Sequence, residues 1–256
     1  MNTMADLLAR EAELTDQARD QYGPYFATAL HCCGYLTTEI AKVDEDRFLF
    51  GAMHSLVGKH SMLAALSYVR RHRVQGSMNL RQVVESAQRA CYYLAHPKDH
   101  VKETDTEIVV DEAGVKEKTY RFFDRSMKDH AAAFSQAKRI INMTDAHASL
   151  RSAQLIFKEG ISGRDLFFDA ENPVLVRVGL WSIINTAVGV FDAYHLAAAQ
   201  FGGVQFADGF EDRFAAILAM RDRLHQELWG EEEVQAMEKS AGADDANAGD
   251  STRDMW

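Results

Sequence analysis

The sequence predicts an all-α protein, a multi-helix bundle with one or two small β-hairpin insertions and a long C-terminal helix. The 256 residues contain only three prolines, Pro24, Pro97 and Pro173, and each lies where a helix is expected to begin or end. Proline costs about 3 kcal/mol inside a helix but is tolerated in the first turn. Between the prolines, apolar residues recur every three or four positions, which is the spacing of one helical face.

Seven helices are expected along the chain, separated by glycine and polar turns. The first is polar and stops at Gly23, and the second starts at Pro24. Acidic residues from Asp44 suit the start of the third, residues 75–77 are interpreted as the next break, and another break is expected near Asp129. The predicted helices span residues 3–22, 24–43, 44–73, 80–94, 120–147, 174–201 and 210–228.

Three segments depart from the ordinary amphipathic pattern. The charged insertion 97–119 is interpreted as containing a hairpin that turns at residues 111–114, and residues 154–168 as a second hairpin. The run Val178–Phe191 has fourteen residues without a charge, too few to span a bilayer, so it is expected to be the central core helix. The last helix repeats apolar residues in steps of four and three, a coiled-coil-like seam that suits self-association.

Composition divides the chain into one helical domain, residues 1–230, and an acidic, largely disordered tail, residues 231–256. The net charge is −10, and the tail holds eight acids against two bases, so the body is only mildly acidic. Such a body neither attracts nor forbids a phosphate backbone at a local patch. Three cysteines without a disulfide pattern and a charged N-terminus without a secretory signal predict a cytoplasmic protein that does not enter a membrane.

No complete catalytic or cofactor motif occurs in the sequence. There is no Glu-x-x-His pair, no Gly-x-Ser-x-Gly elbow, no Gly-x-Gly-x-x-Gly and no phosphate loop, which excludes the kinase, Rossmann and P-loop classes. The aspartate analogues Asp192-x-x-His195 and Asp222-x-x-His225 lie on different predicted helices without further glutamates. We therefore expect neither a metal nor a cofactor, and Cys91 is expected in the core.

The strongest polar cluster contains three residues spaced four apart. Arg81, Glu85 and Arg89 therefore share one ridge of a helix, with the acid between two bases. Two interpretations are open: a solvated, salt-bridged face, or an anion or RNA-phosphate groove, since arginine forks match phosphate geometry. The residues before the ridge that would extend such a binding surface are Arg71, His72 and Asn79.

Two further groups of polar residues are candidates for a site. Near a predicted helix end, His147 follows Asp145 closely and serves either as a general acid or base or as a cap of the helix C-terminus. In the central helix, Asn185, Asp192 and His195 have apolar neighbours. Buried polar groups must be paired, so these side chains either connect the bundle internally or line a site.

Four strings of the sequence carry a resemblance to a known family: RRHRVQGSMNLRQVVESAQRACYYLAHP, NMTDAHASL, DLFFDAENP and GLWSIINTAVGVFDAYHLAAAQFG. Over about residues 45–230, in this order, the chain resembles a group of bacterial all-helical proteins of uncharacterised function. That group is itself distantly similar to the HEPN-like superfamily, whose members include RNA-cutting toxins and defence proteins alongside inactive scaffolds.

The resemblance implies roles for individual residues. Active HEPN members carry an arginine separated by four to six residues from a histidine, often as Arg-Asn-x-x-x-His. This chain has three such spacings, about two of which are expected by chance, and Arg139 lies outside that spacing from His147. The resemblance matches His147 to a helix-ending histidine, Asn79, Arg81 and Glu85 to a polar helix, and Asn185 and Asp192 to the central helix.

Two functions follow as expectations. The first is a non-catalytic, oligomerising or partner-binding HEPN-like protein in stress or phage defence, which self-associates through helices and has an RNA or a protein as partner. The alternative is a metal-independent HEPN-type ribonuclease in which His147, Arg89, Glu85 and Asp145 act. The incomplete signature favours the first, and the sequence leaves open whether the chain is an enzyme.

Overall fold

The structure is a computed structural model that describes residues 3–99, 101–103, 108–110, 113–144, 167–169 and 172–235. It confirms an all-α bundle, in which long helices are joined by short turns and two small two-stranded sheets. The helices are α1 (Met4–Thr38), α2 (Phe48–Val69), α3 (Arg73–Ala95), α4 (Val115–Ser126), α5 (Lys128–Thr144), α6 (Pro173–Phe201) and α7 (Phe210–Trp229), and the strands are β1 (Ile40–Val43), β2 (Val101–Glu103), β3 (Ile108–Val110) and β4 (Val204–Phe206).

Helix α1 is capped at its start and kinked near its middle. The Thr3 hydroxyl accepts a hydrogen bond from the Asp6 amide, and the Asp6 carboxylate accepts one from the Thr3 amide, both at 3.1 Å. Gly23 has φ 50°, a left-handed conformation that glycine adopts without steric cost, and Pro24 follows it. The predicted stop at Gly23 is therefore a kink, and α1 continues to Thr38.

The turn between α2 and α3 lies earlier than the sequence analysis predicted. The prediction placed a break at residues 75–77, whereas the turn occupies residues 70–72 and Gly76 lies in the first turn of α3. Ring carbons of Tyr68 lie 3.0 Å from the position that a Cβ of Gly76 would take. Gly76 therefore permits close packing between α2 and α3 and does not interrupt the helix.

The prediction of a helix over residues 24–43 is wrong at its end, because β1 follows α1 almost directly. Strand β1 pairs antiparallel with β4, and Ile40 lies opposite Phe206 while Val43 lies opposite Val204. Ile40 and Val43 continue the helical spacing of α1, so no local pattern marks the change. The partner strand lies far along the chain, and its pairing is what selects the extended backbone.

A hairpin is present in the charged insertion, as predicted, with different bounds. Strands β2 and β3 pair antiparallel, with Val101 opposite Val110, and α4 begins at Val115. Of the predicted turn at residues 111–114, Ala113 and Gly114 form a turn directly before α4, and residues 111–112 lie outside the described residues. The second predicted hairpin, residues 154–168, lies outside the described residues except for Phe167 and Phe168, which are not in a strand.

Helix α6 runs through the centre of the core, as its uncharged run predicts. Leu180, Ile184, Val190 and Tyr194 are buried at several positions around its axis, and it packs against α1, α2 and α3. Among the described helices, α6 is the one whose length and composition suffice to cross a membrane. Of its most apolar 18-residue window, 56% is buried inside the protein, a property it shares with core helices of soluble proteins.

The apolar seam of α7 packs inside the chain. Ile217, Leu224 and Leu228 are buried, and α7 packs against α6 and α1. The Tyr25 hydroxyl of α1 donates a hydrogen bond to the Leu224 carbonyl at 3.1 Å. The seam from Phe210 to Leu228 is therefore used for folding, and a second copy of the chain would have to associate through another surface.

Candidate functional site

A polar pocket of about 130 Å³ lies between α3 and α4. We refer to it as the α3–α4 pocket. The ridge predicted from the sequence forms one wall of it, because Arg81, Glu85 and Arg89 all line the pocket. The other lining residues are Gln88 of α3 and Lys116, Thr119 and Tyr120 of α4.

The packing of α4 on α3 creates this pocket. Val115 and Phe122 are buried on the inner face of α4, and the Phe122 ring lies 6.0 Å from the Tyr92 ring of α3. Thr119 falls one turn from both Val115 and Phe122, on the same inner face. Lys116 and Tyr120 stand at the edge of that face, so α4 presents a cation and an aromatic ring at the rim.

The basic groups of the pocket differ in how they are held. Arg81 Nε donates to Glu85 Oε1 at 2.8 Å, an i,i+4 pair within α3. The half-buried Arg89 guanidinium has no hydrogen bond or ion pair to any described residue. The Lys116 ammonium is exposed at the rim. Three cations thus surround one carboxylate, in a chain whose net charge is −10.

Two neutral donors lie at the buried side of the pocket. Thr119 is 2% exposed, and its hydroxyl has no hydrogen-bond partner among the described residues. Gln88 is 3% exposed, and its Oε1 accepts from Lys138 Nζ at 2.9 Å. Because Lys138 has no acceptor group, this contact fixes the amide oxygen of Gln88 toward it and leaves the amide NH₂ as a donor.

Lys138 of α5 extends the positive charge beyond the lining residues. Its ammonium lies 4.4 Å from the centre of the Tyr120 ring, a cation–π contact, and donates to the Tyr120 hydroxyl at 3.3 Å. Tyr120 therefore has one side of its ring covered by a cation while the side chain as a whole stays exposed. The pocket is rich in donors, so it is suited to holding an anion.

The remaining predicted site residues near α3 have local partners outside the pocket. Asn79 Oδ1 contacts His60 Nδ1 at 2.9 Å and Asn79 Nδ2 donates to the Gln75 carbonyl. Arg71 has φ 61° and its guanidinium donates twice to the Asp169 carbonyl, at 2.9 and 2.6 Å. These contacts give Asn79 a role in joining α2 to α3, and Arg71 one in holding residues 167–169.

His72 also lies away from the pocket, at the junction of α1 with the turn between α2 and α3. Its Nε2 atom contacts Glu11 Oε1 of α1 at 2.9 Å. The ring stacks on Phe168 at 5.3 Å and meets Phe167 edge-on at 5.0 Å. His72 thus connects the N-terminal helix to residues 167–169.

The three polar residues of α6 do not share one site. Asp192 is exposed and its carboxylate contacts His130 Nε2 of α5 at 3.0 Å. His195 Nε2 lies 3.1 Å from Glu211 of α7. Asn185 lines a separate cleft of about 160 Å³ between α3, α5 and α6. Asp192 and His195 therefore contact different helices, and the exposed Asn185 lies in a cleft apart from both contacts.

The two remaining predicted catalytic residues, Asp145 and His147, lie outside the described residues. Of the four residues assigned to the ribonuclease alternative, Arg89 and Glu85 thus share the α3–α4 pocket. Glu85 is the one carboxylate among the described residues that line the pocket, and Arg81 already donates a hydrogen bond to it. The described part of the pocket is equipped for binding.

Sequence reasoning missed the α4 side of the pocket, namely Lys116, Thr119 and Tyr120 as lining groups. The predicted helix began only at Tyr120, because residues 97–119 are rich in charge and were interpreted as containing a hairpin. The i,i+4 spacing from Val115 to Thr119, followed by Phe122 and Phe123, is an apolar stripe that could have extended the helix forward.

Comparison with protein-family models, with curated protein sequences and with solved structures finds no match to this chain. Within the described ranges, no group of three or more histidine, cysteine, aspartate or glutamate residues could hold a metal ion. The feature of the described chain that points to a function is therefore the α3–α4 pocket.

Proposed function

We propose that this protein is a non-catalytic binding protein whose α3–α4 pocket takes an anionic ligand. The proposal rests on one observation: two donors that line the same pocket have no hydrogen-bond partner among the described residues. They are the half-buried Arg89 guanidinium and the buried Thr119 hydroxyl. A buried donor that lacks an acceptor costs free energy, about 1–3 kcal/mol. An anion bound between the two side chains would supply acceptors to both.

The charge distribution supports an anion at this position. The net charge of −10 already favours solubility, so solubility does not require a cluster of positive charges at the pocket. Glu85 accepts from Arg81, which fixes the side chain of Arg81 beside the pocket. The remaining positive charge of Arg89 and Lys116 has no carboxylate among the lining residues to balance it.

The first test compares Arg89→Gln with Arg121→Gln. Arg121 is exposed on α4, donates only weakly to its own helix at 3.4 Å and does not line the pocket, so its loss removes the same charge nearby. Titration calorimetry with inorganic phosphate, in buffer free of other oxyanions, is expected to show binding to the wild type. Arg89→Gln should weaken it about ten- to hundredfold, since hydrogen bonds to charged groups contribute about 1.5–3 kcal/mol. Equal effects of the two substitutions would contradict the proposal.

Self-association is a second proposed function, supported by the outer face of α2. The exposed residues of this face are Ala52, Ser55, Leu56, Lys59, Met62 and Leu63, which carry one charge. Met62 and Leu63 are 39% and 38% exposed, so α2 presents apolar side chains outside as well as inside. Acidic surfaces of two copies would repel each other, whereas this face carries no acid and permits contact with a second copy.

The relation to HEPN-like proteins, the cytoplasmic location, the setting in stress or defence and the ribonuclease alternative stay predictions. Incubation of the purified protein with tRNA, with and without EDTA, tests the last of them. Cleavage that resists EDTA and is lost in His147→Ala would support a ribonuclease and contradict the non-catalytic proposal.

A further inference from the structure

We infer that the anion is a phosphate monoester, whose terminal phosphoryl group enters the α3–α4 pocket while the rest of the ligand lies outside. The inference depends on the proposed anion-binding function and goes further by naming the chemical class of the ligand. Three properties of the pocket support it: its volume, the arrangement of its donors and its balance of charge.

The volume fits one phosphoryl group. One water molecule needs about 10–15 Å³ of such cavity space, so about 130 Å³ accommodates a group of several non-hydrogen atoms. A phosphoryl group fits within this space. The remainder of an ester would extend past the open rim, where the exposed Tyr120 ring offers an apolar surface.

The hydrogen-bond donors of the pocket come from two helices, and some of them are buried while others lie at the rim. Arg89 and the amide NH₂ of Gln88 come from α3, while the Thr119 hydroxyl and the Lys116 ammonium come from α4. A phosphoryl group presents three terminal oxygens in a tetrahedral arrangement and can accept from donors on several sides. A carboxylate has two oxygens in one plane, and with both on the Arg89 fork it would present no third oxygen to the buried Thr119 hydroxyl of the facing helix.

The charge distinguishes a monoester from a diester. Three cations and one carboxylate line the pocket, a surplus of two positive charges, and Lys138 stands behind Gln88. A phosphate monoester carries close to two negative charges above its second pKa of about 6. A diester, such as a nucleic-acid backbone phosphate, carries one charge, keeps only two free oxygens and requires exits for two carbon chains.

Thr119 provides a direct test, because its hydroxyl is unsatisfied inside the protein. Thr119→Val keeps the shape of the side chain and removes the donor. If the hydroxyl exists to bind the ligand, the substitution should lower the affinity for methyl phosphate about tenfold while leaving the Tm of the ligand-free protein unchanged or higher. Thr119→Ser retains the hydroxyl and should keep most of the affinity.

The deciding experiment is calorimetric titration of the wild type with methyl phosphate, dimethyl phosphate and acetate at pH 7.5. Methyl phosphate is expected to bind at least tenfold more tightly than the other two. Its affinity should fall severalfold between pH 7.5 and pH 5, as the ester takes up a proton, whereas any binding of dimethyl phosphate should not follow the same titration.

The possible results separate this inference from the proposed function. Acetate or dimethyl phosphate binding as tightly as methyl phosphate would overturn the monoester and leave the anion pocket standing. Absence of binding by all three anions would overturn both. Methyl phosphate bound equally by the wild type and a folded Thr119→Val variant would overturn the assignment of the hydroxyl as a ligand donor.

Discussion

His54 is a half-buried histidine whose ring nitrogen Nδ1 is buried and has no hydrogen-bond partner among the described residues. Its ring stacks on Phe50 at 5.9 Å and meets Tyr194 edge-on at 5.6 Å. Burial lowers the pKa of His54 from 6.5 to about 4, because the charged form would lose its hydration. Burial also raises the pKa of Tyr194, whose hydroxyl lacks a partner as well.

The lowered pKa of His54 makes the stability of the folded protein decrease in acid. The unfolded chain binds a proton at His54 near pH 6.5 and the folded protein only near pH 4, so protonation favours unfolding. The contribution of His54 to stability is complete above pH 6.5 and decreases as the pH falls toward 4, by about 3 kcal/mol. His54→Met removes the titrating group at similar size. Urea unfolding at pH 7 and pH 4.5 should show a smaller loss of stability in this variant than in the wild type.

His31→Gln is the matched control for that measurement. His31 is exposed on α1, so its substitution should leave the pH dependence of unfolding as in the wild type. Identical pH dependence in the His54 and His31 variants would show that burial of His54 does not govern the acid sensitivity.

At the scale of the helix, close packing on glycine sets the spacing between α6 and α2. A Cβ on Gly179 would lie 2.6 Å from Tyr68 Cε1, inside the ring's van der Waals surface. Gly189, two to three turns further along α6, has its nearest neighbour at 3.7 Å from the same kind of position, which is ordinary contact. Gly179 and Gly189 therefore lie on the same helix, but only at Gly179 would a Cβ overlap a neighbouring side chain.

Gly179→Ala and Gly189→Ala should change stability in opposite directions. The first forces the buried Tyr68 ring to move and is expected to destabilise the protein by about 1–3 kcal/mol. The second gains helix propensity without a clash and is expected to be neutral or stabilising by up to about 1 kcal/mol. Thermal unfolding monitored by circular dichroism measures both, and a stable Gly179→Ala variant would contradict the packing argument.

The helices predicted well from the sequence are those determined by local signals. Asn172 caps α6 through its side chain before Pro173, and the uncharged run that follows fixes the core position of that helix. The end of α1 and the start of α3 were misplaced because their signals are tertiary: Ile40 changes conformation to pair with Phe206, and Gly76 accommodates Tyr68.

The residues of the candidate site divide in the same way, into those that local spacing predicts and those that depend on tertiary contacts. Arg81, Glu85 and Arg89 were found because one helix sets their spacing, and a four-residue repeat places side chains on one ridge in any helix. Lys116 and Thr119 belong to the pocket only because α4 packs on α3, and no spacing in the sequence reports that contact. The grouping of Asn185, Asp192 and His195 depended on a shared helix, whereas Asp192 pairs with α5, His195 pairs with α7, and Asn185 lines a separate cleft.

At the scale of the whole molecule, the outer face of α2 is the surface proposed for a second copy. Leu56 and Leu63 lie seven residues apart, on one side of this helix. Leu56→Glu combined with Leu63→Glu places two acids on that side. Leu196→Glu is the control, because Leu196 is 43% exposed on α6 and outside this face.

Light scattering across a dilution series should give a mass for the wild type that falls from dimer toward monomer. The double variant is expected to stay monomeric, and Leu196→Glu to behave as the wild type. A wild-type mass at the monomer value throughout the series would remove the proposal of self-association, and it would leave the anion pocket unaffected.

The pairing of Ile40–Val43 with Val204–Phe206 bears on how the polypeptide is made. Helix α1 packs on both α2 and α6, so the part of its surface that α6 covers stays exposed until the ribosome has synthesised most of the remaining protein. At about 5–20 residues per second this takes roughly ten to thirty seconds. A nascent chain released before Val204 lacks both this cover and the partner strand, and we expect it to be a client for chaperones and proteases.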